Sequence, residues 1–260
     1  MHIHFLRHAT LVLTIDNLTL LVDPMLSPLE AMDPIPNAGN QRRIPMVPLP
    51  LSDEELQQML GGIDAVLVTH THLDHWDASA QSMLPKSLPL LCQPENREAL
   101  EQAGFSQVVP VTEHLTWRGL QIDRTGGQHG TGEVGKRMGS VSGFVLQAKG
   151  EPVLYVAGDT IWCSEVEQAL KQFSPDVVVL NAGAPTFITG GGPITMDEED
   201  VCQVGRSIPE AKVIAVHMET VNHCRLTRAA LRTKVEAEGL EKQVSIPQDG
   251  ATLTFSAQSL

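Results

Sequence analysis

The 260 residues carry 42% hydrophobic side chains, enough for one sizeable core, and we expect one domain over residues 1–260. A net charge of -13, with basic residues clustered no further than the pairs Arg42-Arg43 and Lys136-Arg137, excludes a nucleic-acid binder, which needs a Lys/Arg stripe. No apolar run approaches the ~18 residues of a membrane span, the polar opening does not read as a secretory leader, and Cys92, Cys163, Cys202 and Cys224 form no C-x-x-C pair, so the expected setting is the cytoplasm, with no membrane partner.

In chain order, the first segment reads as a small meander. Leu11–Ile15 and Leu18–Val22 flank Asp16-Asn17, a dipeptide that tolerates the left-handed backbone of a two-residue hairpin. His2 and His4 share one face of a preceding strand. The connection from Pro24 to Pro50 holds seven of the 17 prolines, and a loop of that length in a compact domain is more often functional or mobile than structural. Ser52-Asp53-Glu54-Glu55 is a capping box and starts a short helix.

Asp64–Thr69 then reads as a buried strand. Helices are expected at 77–84, 94–103, 163–172, 197–207 and 227–238, with Asp77, Asp197 and Thr227 as N-caps. Strands are expected at 88–92, 107–111, 115–123, 141–147, 152–157, 176–181, 211–216, 243–247 and 251–255. Strand hairpins alternating with strand–helix–strand units predict an α/β fold: two mixed sheets packed face to face with helices outside.

The most informative stretch is Val66-Leu67-Val68-Thr69-His70-Thr71-His72-Leu73-Asp74-His75-Trp76, where a buried strand runs into three histidines and an aspartate. At an extended strand end His70 and His72 share a side and can hold one ion, and the following turn lets Asp74 and His75 reach a second. Imidazole with carboxylate suits zinc, with manganese or iron as alternatives, rather than calcium. A loop that merely caps a helix at Asp77 does not require three histidines. Further polar residues end apolar runs elsewhere: Asp23, His129 in a glycine-rich loop, Asp159 in Gly158-Asp159-Thr160, and His217. Strand ends along one sheet edge are where a site gathers. Without a cation, such crowded carboxylates would cost several kcal/mol each.

In order and spacing these residues resemble the metallo-β-lactamase superfamily over almost the whole chain: strand-Asp at Asp23, T-H-x-H-x-D-H from Thr69 to His75, His129, G-D-T around Asp159 and strand-His at His217. The resemblance implies an αββα sandwich with a two-metal site. His70, His72 and His129 would hold the first metal, and Asp74, His75 and His217 the second. Asp159 would bridge them, and Asp23 would orient a ligand histidine. The opening Arg7-His8-Ala9-Thr10 is most similar to the branch containing ascorbate-6-phosphate lactonase, and a related member, N-acyl-phosphatidylethanolamine phospholipase D, opens G-H-A-T, with glycine where this chain has Arg7.

The expected activity is hydrolysis of a small anionic ester, lactone or phosphodiester by a metal-bound hydroxide that Asp74 orients. A thioester hydrolase of the same fold and a non-catalytic metal-binding protein are the alternatives, and a homo-oligomer is compatible with the sequence. His8, His223 and Glu219 are candidates to protonate the leaving group. Thr160 and Trp162 are candidate pocket residues, and Gly190-Gly191-Gly192-Pro193 is a candidate substrate loop.

Overall fold

The computed structural model describes residues 1–257. In chain order the strands are β1 (His2–Arg7), β2 (Thr10–Ile15), β3 (Leu18–Val22), β4 (Ala65–Val68), β5 (Leu90–Cys92), β6 (Val108–Pro110) and β7 (His114–Trp117). They continue with β8 (Leu120–Thr125), β9 (Gly143–Gln147), β10 (Leu154–Val156), β11 (Val177–Asn181), β12 (Lys212–Val216), β13 (Val244–Ser245) and β14 (Thr252–Thr254). The helices are α1 (Asp53–Gly61), α2 (Ala78–Met83), α3 (Arg97–Gln102), α4 (Gly132–Met138), α5 (Ser164–Phe173), α6 (Glu198–Ser207) and α7 (Arg228–Ala237).

Two sheets form, in the orders β14-β1-β2-β3-β4-β5-β6 and β13-β12-β11-β10-β9-β8-β7. The strands alternate between two cores, as a period of two requires. In β4, Ala65 and Leu67 face the layer between the sheets, while Val66 and Val68 face α1, α2 and α3. In β12, Ile214 and Val216 face that same inner layer, while Val213 and Ala215 face α5, α6 and α7. The result is the expected αββα sandwich. Asp77, Asp197 and Thr227 cap their helices as expected, and the Ser52/Glu55 capping box forms in full.

Two expectations fail for local reasons. The strand expected at 115–123 is the hairpin β7–β8, because Arg118 (φ 49°) and Gly119 (φ 88°) make a two-residue turn with both central residues left-handed, pairing Trp117 with Leu120. The segment 94–103 divides into a 3-10 turn at Pro94–Asn96 followed by α3. Helix α4 was not expected at all, since Gly132, Gly135 and the flanking Gly130 and Gly139 depress helix propensity there.

The proline-rich connection is pinned rather than loose. Arg7 is wholly buried, and its guanidinium donates to the main-chain carbonyls of Val47 (2.8 Å), Met25 (2.9 Å) and Ser27. Burial lowers its pKa to about 10, against the pull of Asp77 and Asp249. From the other side, Asn222 accepts from the Ile35 N–H at 2.9 Å, and the Asn222 carbonyl accepts from the Asn40 amide at 2.8 Å. The connection is thereby tied to the segment that follows β12.

Replacing Arg7 with Ala strands the buried carbonyls of Met25 and Ser27 and the partly buried one of Val47, and opens a cavity. We predict a loss of about 3 kcal/mol or more in denaturant unfolding, with faster proteolytic cleavage within residues 24–50. Unchanged stability and cleavage would show that the prolines and the Asn222 bonds order this segment without Arg7.

Candidate metal centre

The site assembles at one edge shared by both sheets. His8 follows β1, Asp23 follows β3, the Thr69–His75 run follows β4, Asp159 follows β10, and His217 follows β12. Three of these, His8 (φ 56°), Asp23 (φ 42°) and His217 (φ 70°), are non-glycine residues in the left-handed region, a strain that persists only where surrounding structure enforces it. The backbone also approaches closely. A Cβ on Gly183 would lie 2.3 Å from the His217 carbonyl and 3.0 Å from its Nδ1, so only glycine fits beside this ring.

The side chains converge in three overlapping groups: His70, His72 and His129; His8, Asp74, His75 and His217; and His70, His75 and Asp159. His72 Nδ1 lies 3.0 Å from His70 Nε2 and 3.3 Å from His129 Nε2, and His75 Nε2 lies 3.2 Å from His217 Nε2. Asp159 reaches both sides, with Oδ2 3.3 Å from His75 Nε2 and 3.5 Å from His129 Nε2, and Oδ1 3.4 Å from His217 Nε2. Asp74 Oδ2 lies 3.8 Å from His217 Nε2. Apart from the half-buried His72, all seven are buried.

The outer ring nitrogens determine what the inner ones present. His129 Nδ1 donates to the Ile194 carbonyl at 2.6 Å, and His75 Nδ1 lies 2.9 Å from Asp23 Oδ2. Thr69 Oγ1 donates to Asp23 Oδ2 at 2.6 Å, which leaves its oxygen to accept from His70 Nδ1 at 3.1 Å. With those protons outward, the Nε2 lone pairs of His70, His75 and His129 face inward. At 3.0–3.3 Å each facing pair of ring nitrogens needs either a proton between them, from His72 or His217, or a cation among them. In a tetrahedral site with bonds of about 2.0–2.1 Å, neighbouring donor atoms stand about 3.3 Å apart. The donor set therefore fits divalent transition-metal ions.

Burial, together with neighbouring histidines, holds His70 and His217 well below the usual imidazole range. Asp74 and Asp159 stay well below the usual carboxylate range: burial opposes this, but the surrounding histidines outweigh it. His75 goes the other way, because Asp159, Asp23 and Asp74 overcome its burial.

A cavity of about 170 Å³ opens onto this cluster, lined by Ile35, His72, Leu73, Asp74, His129, Met138, Asp159, Phe187, Ile194 and His223. A second recess of about 180 Å³ lies across His72 and Met138, walled by Thr71, Gln93, Glu95, Asn96 and Ser140. A larger one, about 550 Å³, sits at the far ends of β11 and β12 and holds none of the cluster residues.

His223 lies on the cavity wall beside Phe187, whereas His8, the other candidate proton donor, is fully buried and does not line the cavity. Glu219 turns away and pairs with Arg228 at 2.7 Å. Thr160 accepts from the Gln128 N–H and so braces the His129 loop, and Trp162 packs on the α5–α6 layer; neither lines the cavity. The run Gly190–Pro193 supplies no wall itself, but it leads to Ile194, which lines the cavity and holds His129. Sequence reasoning missed Asn181, whose amide donates to Asp159 Oδ1 at 2.7 Å; it ends β11, so the strand-end logic applied to Asp23 and His217 would have found it. His2, His4 and His114 lie outside the cluster, His114 pairing with Asp123 at 2.9 Å.

Residues 19–218 match the model of the beta-lactamase superfamily domain. The UPF0173 protein YddR of Bacillus subtilis is 37% identical over 98% of this chain and 100% of its own length. Among solved structures, a "possible metal-dependent hydrolase" from Veillonella parvula superposes with a TM-score of 0.94 at 38% identity, covering 98% of this chain and 99% of that one. An isothiocyanate hydrolase from Delia radicum gut bacteria superposes with a TM-score of 0.92 at 38% identity, covering 99% and 100%.

Asp23 supports the cluster through Thr69 and His75 without entering it. We predict that Asp23→Ala weakens metal binding about 10–100-fold in chelator competition while the protein still folds. Wild-type affinity in this variant would reduce Asp23 to a turn former.

Proposed function

Because the chain belongs to the metallo-β-lactamase superfamily, and within it to the UPF0173 metal-dependent hydrolases, we propose that it uses two divalent ions to hydrolyse a small neutral electrophile bearing an apolar substituent, isothiocyanates being the class to test first. One observation carries this reading. The cavity beside the His/Asp cluster is walled by Ile35, Leu73, Met138, Phe187 and Ile194, and among the described residues no Lys or Arg lines it.

The proposed ligands are His70, His72 and His129 for one ion and Asp74, His75 and His217 for the other, with Asp159 between them. Zinc suits this donor set, as do manganese and iron. Divalent ions held there would supply Lewis-acid activation of water and of the electrophile. The protein's own groups do the rest. Asp74, a carboxylate at the cavity wall, accepts a proton of the attacking water in a hydrogen bond. The apolar walls hold the substituent and exclude competing water.

Burial lowers the His223 pKa to about 4, so at neutral pH its ring is uncharged. It therefore serves as a neutral hydrogen-bond donor toward the heteroatom where negative charge develops, not as an imidazolium acid. For an isothiocyanate, water adds across the C=N bond to give a thiocarbamic acid, which breaks down to a primary amine and carbonyl sulfide. A relative that superposes with a TM-score of 0.92 is an isothiocyanate hydrolase, which supports this class.

An anionic substrate, expected from the sequence and from the branch containing ascorbate-6-phosphate lactonase, finds no cationic side chain in this cavity. A phosphate or carboxylate would depend on the ions alone.

Purified protein should contain about two transition-metal ions per chain. It should convert aryl- or alkyl-isothiocyanates to amines, and chelation should abolish turnover. A preference for phosphodiesters or phosphorylated lactones over isothiocyanates would overturn the substrate assignment.

A pH experiment tests the His223 environment. The unfolded chain takes up a proton at this ring below about 6.5, the folded chain only near 4, so native stability falls as pH drops through that window. His223→Gln lacks this linkage and should lose less stability between pH 6.5 and 4. Equal slopes for the two proteins would mean that the ring is not desolvated.

A further inference from the structure

His8 sits in the turn between β1 and β2 and is completely buried. Its carbonyl accepts from the His217 N–H at 2.8 Å, and its ring lies on the His217 ring with centroids 3.6 Å apart. Its Nε2 is 3.1 Å from Asp74 Oδ2, and its Nδ1 is buried and meets no hydrogen-bond partner among the described residues. By distance alone His8 groups with Asp74, His75 and His217 as if it were a fourth ligand.

The ring's tautomer decides against that role. A proton on Nδ1 would be a buried N–H with no acceptor, and it would leave the Nε2 lone pair facing a carboxylate oxygen across 3.1 Å. A doubly protonated ring would strand the same N–H. With its single proton on Nε2, the ring donates to Asp74, and only the Nδ1 lone pair goes unmet. Buried unpaired acceptors are tolerated more often than buried unpaired N–H groups. In that tautomer His8 has no lone pair directed at the cluster and no spare proton for a leaving group.

We infer that His8 is a positioning residue: it donates from Nε2 to Asp74 Oδ2 and fixes that carboxylate at the angle from which it holds its ion. The inference rests on the two-ion reading of the cluster. His217 is fixed by the same residue, since its main-chain N–H is held by the His8 carbonyl and its ring by the His8 ring. One turn between two strands thus sets two groups of the Asp74 side.

The test is metal affinity, not turnover, measured by chelator competition on wild type, His8→Ala and His8→Gln, with folding checked by circular dichroism. Gln places an amide N–H near the position of Nε2 but is a poor transition-metal ligand. His8→Ala should keep one ion at wild-type affinity and bind the other about 10–100-fold more weakly, and His8→Gln should recover most of the loss. If His8→Ala holds both ions as tightly as wild type, or if folded His8→Gln is as weak as His8→Ala, the positioning role is wrong. Should His8→Ala fail to fold, ¹⁵N NMR of the wild-type imidazoles decides: a protonated Nε2 and bare Nδ1 on His8 are expected in the metal-loaded protein, and the opposite tautomer overturns the inference. Wild-type protein that takes up no metal would sink the two-ion reading, a result distinct from a metal-loaded wild type whose variants bind unchanged.

Discussion

Asp74 and Asp159 are crowded with six imidazole rings into a buried sheet edge, with ring nitrogens facing one another at little more than 3 Å. Such an arrangement is repulsive in isolation, and burying the carboxylates adds a desolvation cost. Positive charge in the middle reverses both effects. Much of the surrounding structure holds these groups in place against their own repulsion. Asp23 binds the Thr69 main chain, the Thr69 hydroxyl and the His75 ring together, tying the end of β3 to the first residues beyond β4. Asn181 does the same for Asp159 from the end of β11.

This constraint explains where strain is tolerated. His8, Asp23 and His217 adopt left-handed backbone because the chain must turn sharply as it leaves each strand to keep the side chain at the edge. The packed layer between the sheets, from Phe5 and Leu67 to Phe144 and Val216, gives those turns a fixed base. Arg7 extends the same logic outward. By holding the carbonyls of Met25, Ser27 and Val47, it anchors the connection that brings Ile35 to the cavity.

The two-sheet layering and the gathering of these side chains at one edge were legible in the sequence, partly through short-range rules and partly through the resemblance to the metallo-β-lactamase superfamily. Strand alternation places His70 and His72 together, and an apolar run that ends in Asp23, Asp159 or His217 announces a sheet edge. What could not be read depends on contacts between distant segments or on groups without a sequence signature. The Ile194 carbonyl that orients His129 is plain backbone. Helix α4 hides in glycines, and Ile35 and Phe187 meet only because separate loops are pinned together. Glu219 looked available until Arg228 claimed it, and no local pattern near Glu219 signals a partner nine residues on. The apolar cavity walls come from four different stretches of chain, so no local pattern announces them.

Met138 stands between the apolar cavity and the polar recess, touching both, and it is the last residue of a seven-residue helix that supplies none of the cluster's donor groups. A shorter side chain there would join about 170 Å³ to about 180 Å³ and replace a greasy wall with Gln93, Asn96 and Ser140. The wall between the two recesses can therefore change without touching a donor group. Relatives of this fold could shift from compact apolar substrates to longer polar ones through one side chain, with every donor atom left where it is.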